Sequence, residues 1–163
     1  MAFIKFVTGE HCNVDAVSNL INYICDWGSN TYLGGLAVST HDVNSAIRDF
    51  LIVKNIFHQN EGRQAIHFIL SFNEEEEEII NADMALSLGY LIAKHYNKYQ
   101  VIFAVHNNTD NLHIHFVINS VNYIDGCRYA EGPDGYYRLK SHVDTVIENF
   151  LCSVGNYSVA NIS

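Results

Sequence analysis

Proline is close to absent, one residue in 163, and positive charge is scarce, with 9 Lys and Arg against 18 Asp and Glu for a net charge of -9. The first lack, in a chain that is 48% hydrophobic and 17% charged, excludes a disordered or proline-rich polypeptide. The second counts against an electrostatic grip on nucleic acid. A phosphate backbone repels an acidic surface unless basic residues cluster or a cation bridges the contact. No apolar run approaches a membrane span and no signal-peptide pattern opens the chain, so no membrane insertion and a cytoplasmic location are expected. The four cysteines, Cys12, Cys25, Cys127 and Cys152, never form a CxxC pair. That points to free thiols in a reducing compartment rather than a disulfide framework or a zinc knuckle. Internal repeats and linkers are missing as well. What is left is one domain over 1–163, long enough for a real core.

Within it, Ala2 to Thr8 predicts a first strand. Val17, Leu20, Ile21 and Ile24 fall at i, i+3, i+4 and i+7 and predict a helix from Asp15 to Asp26. Tyr23 sits about a hundred degrees off that stripe, on the flank, where its hydroxyl can reach a cleft. Trp27 to Thr40 has no clear period and contains Gly28, Gly34 and Gly35, which predicts a loop. A second helix is expected from Asp42 to Phe57, and a central strand over Arg63 to Phe72 with His67 inside it. Glu74 to Glu78 is an acidic run, read as a solvated face or loop. Asn81 is the expected cap of a helix reaching Tyr96, followed by a strand from Tyr99 to Val105. An Asp125-Gly126 turn leads to a short strand near Arg128. The last helix is expected over Tyr137 to Val154. The pattern implies a single α/β (α+β) domain in two layers, a largely antiparallel central sheet with flanking helices.

The most informative stretch is Val105 to Asn119, VHNNTDNLHIHFVIN. His113-Ile114-His115-Phe116-Val117-Ile118 is rich in β-branched and apolar residues and reads as a strand. Side chains alternate across a strand, so His113 and His115 share one face while Ile114 and Phe116 enter a core. The Asn- and Asp-rich segment before them is turn-like and closes a hairpin that returns His106 to their side. Three imidazoles from two adjacent strands form an open divalent-metal site with positions left for water or substrate.

Three segments together resemble conjugative relaxases, the mobilisation endonucleases of the HUH superfamily. Leu20 to Asp26, LINYICD, is similar to the family's N-terminal helix bearing the nicking tyrosine. Arg63 to Phe72, RQAIHFILSF, resembles its strand with an internal histidine. Val105 to Asn119 resembles its metal motif and trailing asparagine. The resemblance implies the relaxase fold and a DNA strand transferase acting at a plasmid or integrative-element transfer origin. In that reading Tyr23 attacks one phosphodiester to give a 5′-phosphotyrosyl link and a free 3′-hydroxyl. His106, His113 and His115 hold the metal, with Mn2+ or Mg2+ expected. A phenol with pKa about 10 is a poor nucleophile at neutral pH until a base or local field assists it. Neutral imidazole ligands leave a cation's full charge for the phosphate.

The resemblance also implies single-stranded or supercoiled origin DNA as substrate, accessory relaxosome proteins as partners and a bacterial cytoplasm as the setting. Asp110 resembles a motif acid that orients a ligand histidine or accepts the tyrosyl proton; as an Asx residue it equally suits the hairpin turn. His67 is either a further ligand or a satisfied buried histidine, Asn119 either positions DNA or closes the strand, and Tyr32 is the competing nucleophile. Arg63, Arg128, Arg138 and Lys140 are the basic residues expected near the DNA, with Tyr136 and Tyr137 for base stacking. Many relatives carry Asp and His where this chain has Asn108 and Asn111. The chain is short for a complete relaxase, which implies a truncated or minimal catalytic domain. Two other activities fit the same residues: a metal-dependent phosphoesterase using activated water, and a non-catalytic metal- or DNA-binding module.

Overall fold

The computed structural model describes residues 1–9, 11–25, 32–107 and 111–155. In chain order the elements are β1 (Phe3–Phe6), α1 (Ala16–Cys25), β2 (Tyr32–Leu36), α2 (Val43–Ile56), β3 (Ala65–Ser71), α3 (Glu74–Glu77), α4 (Ala82–Ala93), β4 (Tyr99–His106), β5 (His113–Asn122) and α5 (Gly135–Ser153). The five strands form one sheet in the order β1-β3-β5-β4-β2, every neighbour antiparallel.

Strands β3, β4 and β5 are buried on both faces, and such strands need cover on both. Alternate residues accordingly feed two cores. Ile66, Phe68, Leu70, Phe103, Phe116 and Ile118 point to α4 and α5, meeting Leu88, Ile92, Leu139 and Val143. Ala65, Ile102, Ala104 and Val117 point to α1 and α2, meeting Val17, Ile21, Ile24 and Phe50. The antiparallel sheet with flanking helices is as expected, but the layers number three rather than two. The helical stripes do not reveal which sheet face each helix covers. On the α4 side three aromatic rings form the centre, with Phe68 stacked on Phe116 at 4.6 Å and Phe103 at 5.5 Å from Phe116.

Three local expectations change. The segment expected to be a loop contains edge strand β2, whose Tyr32 pairs with Val105 and whose Gly34 pairs with Phe103; residues 27–31 lie outside the described ones. The pairing is tolerated because Gly34 has no side chain. A Cβ there would lie 2.2 Å from the Phe103 ring, and one at Gly89 on α4 would lie 2.3 Å from it. The acidic run is a one-turn helix, α3, closed by a capping box between Asn73 and Glu76. The strand expected near Arg128 is a single bridge to Val121, after a turn in which Gly126 takes φ of 74°. By contrast Asn81 caps α4 through its side chain, and Asp42 caps α2, as the residue types predict.

Candidate active site

The β4–β5 hairpin sets His106 opposite His113 and Ala104 opposite His115. His115 lies opposite Ile69 on the other side, diagonal to His67. Alternation puts His67, His106, His113 and His115 on the α1–α2 face, where Ala104 leaves room for imidazole rings. One nitrogen each of His106, His113 and His115 lies within 4.8 Å of the others. Two nitrogens that share one ion at ~2.1 Å stand at most about 4.2 Å apart, so small ring rotations close this set.

The stronger test of fit is the tautomer of each ring. His106 Nε2 stands 2.8 Å from the Ile24 carbonyl. A carbonyl only accepts, so Nε2 carries the proton and Nδ1 the lone pair. His113 Nδ1 stands 2.9 Å from the Asn111 carbonyl, which places its lone pair on Nε2. His115 Nδ1 stands 2.9 Å from His67 Nε2, leaving Nε2 as the nitrogen for an ion. Each ligand ring is held by its second nitrogen, which is how metal-binding histidines are usually oriented. Burial favours the neutral form of His115, His67 and His106. It lowers His115 to about 3, helped by the neighbouring His106, His67 and His113, and lowers His67 to about 4, helped by His11. His106 is lowered too, by burial against a hydrogen bond to Ile24 that works the other way. Neutral imidazoles with directed lone pairs are the donor set of a divalent-metal site.

Tyr23 belongs to this site. Its ring lies 5.9 Å from that of His115 and 6.3 Å from that of His67, edge-on to both, and it is half exposed. The Ile24 carbonyl that His106 engages belongs to the last described turn of α1, where carbonyls commonly lack an intrahelical partner. One bond therefore satisfies a helix terminus, sets a ligand tautomer and ties the tyrosine's helix to the hairpin. Tyr32 packs instead against the core on the other sheet face. Cys25, two residues after Tyr23, is pushed up to about 11 by burial, which leaves its thiol inert.

His67 is only 2% exposed and serves as the hydrogen-bond partner of His115 rather than as a member of the ligand set. Asn119 is fully buried inside β5 and binds the Phe50 carbonyl, Gln100 and the Val121 amide, so its side chain ties the strand to its neighbours and to α2 rather than facing solvent. Asp110 and Asn108 lie outside the described residues. The basic residues are not gathered at the triad. Arg63 binds the Ala65 carbonyl, and Arg128 donates to Gln59 and to the carbonyls of Arg63 and Glu61. Arg138 and Lys140 are on α5, across the sheet, with Lys140 paired to Asp144. Tyr137 is exposed there, and Tyr136 packs near Phe6. One contributor was missed in the sequence: Glu77 accepts from the Leu112 amide at 3.0 Å and so pins the residue before His113. The signal was present in the Asn73-x-x-Glu76 capping box, which builds the turn that carries Glu77.

The family described as Relaxase: MobA/VirD2-like, nuclease domain matches residues 23–150. Two TraI proteins of Escherichia coli are 31% and 28% identical to the chain over 109 residues, 64% of its length. The chain spans about 15% of the length of these curated relatives. A structure determined for the molecular basis of vancomycin resistance transfer in Staphylococcus aureus superimposes with a TM-score of 0.65 at 12% identity, over 97% of this chain and 95% of that one. The MobM relaxase domain, solved with Mn and bound to plasmid pMV158 oriT DNA, gives 0.63 at 7% identity over 91% and 85%. At these identities the structural likeness establishes the fold. Among the described residues no helix is long and apolar enough to cross a membrane.

Proposed function

The chain belongs to the MobA/VirD2-like relaxase nuclease-domain family, and from that premise we propose that it nicks and transfers one DNA strand at a transfer origin through Tyr23. The observation that carries the reading is the Tyr23 ring against His115, with its helix bound to His106 through the Ile24 carbonyl at 2.8 Å. The nucleophile is thereby built into the ligand shell on a rigid element, which preorganises attack.

In the proposed reaction the Tyr23 oxygen bonds to phosphorus and the bond from phosphorus to the 3′-oxygen breaks. The phosphoryl group stays with the 5′ side of the strand as a phosphotyrosine. The phenolic proton is given up and the leaving 3′-oxygen takes one, so a free 3′-hydroxyl results. The bond energy is kept in the ester, and the reverse step rejoins strands without ATP. His106 Nδ1, His113 Nε2 and His115 Nε2 would hold a divalent cation, Mn2+ or Mg2+, whose chemistry is to neutralise charge on the scissile phosphate. His67 is assigned as a positioning residue that fixes the His115 tautomer, and Asp110 as the group that orients a histidine or takes the phenolic proton. Single-stranded or supercoiled origin DNA is the proposed substrate and accessory relaxosome proteins the proposed partners.

The test incubates the protein with single-stranded DNA covering the element's own transfer-origin region and Mn2+. The expected result is a detergent-resistant protein–DNA adduct that chelator prevents. Cleavage without an adduct would replace this reading with a phosphoesterase that uses activated water, and tight binding without cleavage would replace it with a binding module.

A further inference from the structure

A cleft of about 520 Å³ opens beside Tyr23, on the side away from the ligand triad, between β1, α1 and β3. We infer that it seats the nucleotide on the 3′ side of the cut, the one that remains joined to the tyrosine; this rests on the transesterification proposed above. Its wall on α1 is Ala16, Asn19, Leu20 and Tyr23, at i, i+3, i+4 and i+7, a stripe about 10 Å long that ends on the nucleophile. The three ligand histidines are not part of its lining, whereas Tyr23 and His67 are, so these two rings separate the cleft from the triad.

The stereochemistry of displacement selects which nucleotide belongs there. In-line attack places the entering phenol and the leaving 3′-oxygen at opposite poles of phosphorus. The two non-bridging oxygens and the 5′-oxygen lie around its equator. With the non-bridging oxygens turned towards the triad, the 5′-oxygen and its nucleoside are turned away from it, along the side of Tyr23 on which the cleft lies.

The lining suits that ligand. Among the described residues its lining contains no acidic side chain, and it does contain Lys5 and His11. Leu20 and Ile69 offer an apolar wall to a base face, and the Asn19 amide offers both a donor and an acceptor to a base edge. The volume falls in the range of small-ligand pockets. Two ring nitrogens of the lining, His67 Nδ1 and His11 Nε2, are buried with no hydrogen-bond partner among the described residues. Such atoms are costly to leave unsatisfied, and a bound nucleotide or its water supplies partners. The His11 backbone is held in place by its carbonyl, which accepts from the Gln64 main-chain amide at 2.6 Å.

Lys5 and Asn19 are both solvent-exposed, so a Lys5→Ala/Asn19→Ala variant should fold normally, as a melting curve will check. The probes are two single-stranded oligonucleotides spanning the element's nick site, one natural and one abasic at the first position 3′ of the cut. Adduct formation and equilibrium binding by fluorescence anisotropy are read with both. The inference predicts that losing the base slows the wild type and weakens its binding about tenfold. The variant should show a similar loss on natural DNA, and little further loss on abasic DNA, because the two changes remove one contact. Equal behaviour of the two oligonucleotides, or losses that simply add, would overturn the cleft assignment while leaving the relaxase reading intact. A wild type that forms no adduct with the natural oligonucleotide would overturn the reading and the cleft with it.

Discussion

At the scale of the residue, the site is a set of histidines whose second nitrogens are all committed. Ile24, Asn111 and His67 hold His106, His113 and His115 respectively. His67 is the informative position because it is a side chain and can be replaced. His67→Phe keeps a buried ring but cannot accept from His115, and should weaken Mn2+ binding by roughly 10- to 100-fold. His67→Gln retains an acceptor and should recover most of that affinity. Calorimetric titration of the three proteins with Mn2+ checks this, and equal affinity in all three would remove the positioning role. The triad itself was legible because a His-apolar-His alternation on a strand, with a third histidine across a hairpin, has one geometric outcome. The role of His67 was not, because the choice between ligand and partner depends on the register of β3 against β5, which no local pattern encodes.

At the scale of the element, Phe103 shows why β2 escaped detection. Its ring lies between Gly34 of β2 and Gly89 of α4, with Tyr90 edge-on at 5.0 Å. Glycine is a poor strand former in isolation, so Tyr32 to Leu36, YLGGL, reads locally as a loop. The tertiary requirement is a close approach that only glycine allows. Gly89→Ala should therefore destabilise the fold by about 1–3 kcal/mol, despite alanine's better helix propensity, because the new methyl meets an immobile ring. Urea denaturation is the check, and a stabilised variant would show that the core yields at Phe103. The acidic run has a similar lesson. Five consecutive glutamates suggest solvent, yet Glu76 closes a cap and Glu77 holds the Leu112 amide beside the triad. The amphipathic helices α1 and α2 were readable, since their stripes face a core without any such conflict.

At the scale of the whole molecule, buried groups held neutral make stability depend on pH. His67 and His115 have folded values of about 4 and 3 against 6.5. Between those limits the unfolded chain binds protons that the folded one refuses, so stability rises with pH across that window and is lost on acidification. Lys54 acts in the same direction at alkaline pH. It is fully buried, with Nζ on the Gln64 carbonyl at 2.7 Å and on Ser120 Oγ at 3.1 Å. Burial first and the Arg128 charge second lower it from 10.5 to about 8. Lys54 should therefore contribute a rise in stability of the chelated protein between pH 8 and 10.5, opposed above pH 9 by the Cys25 thiol held at about 11. Urea midpoints against pH measure both limbs, and Lys54→Met should erase the alkaline one alone. Charge bears on binding as well. With Lys140 paired to Asp144 and Arg128 committed to Gln59 and backbone carbonyls, few cations are left to displace counterions. Affinity for single-stranded origin DNA should fall with salt at a slope of only about 1–2, and should drop sharply when Mn2+ is chelated. A slope near 6 would reveal a basic surface that the described residues do not present.

Tyr23, bound to the histidine triad through its own helix, is proposed as the group that takes up DNA. Mass-spectrometric mapping of the residue that carries the nucleotide after digestion of the protein–DNA adduct tests it most directly. The expected result is a phosphotyrosine at Tyr23, absent from Tyr23→Phe. A nucleotide on Tyr32, which packs on the opposite sheet face, or on any residue other than Tyr23, would contradict it.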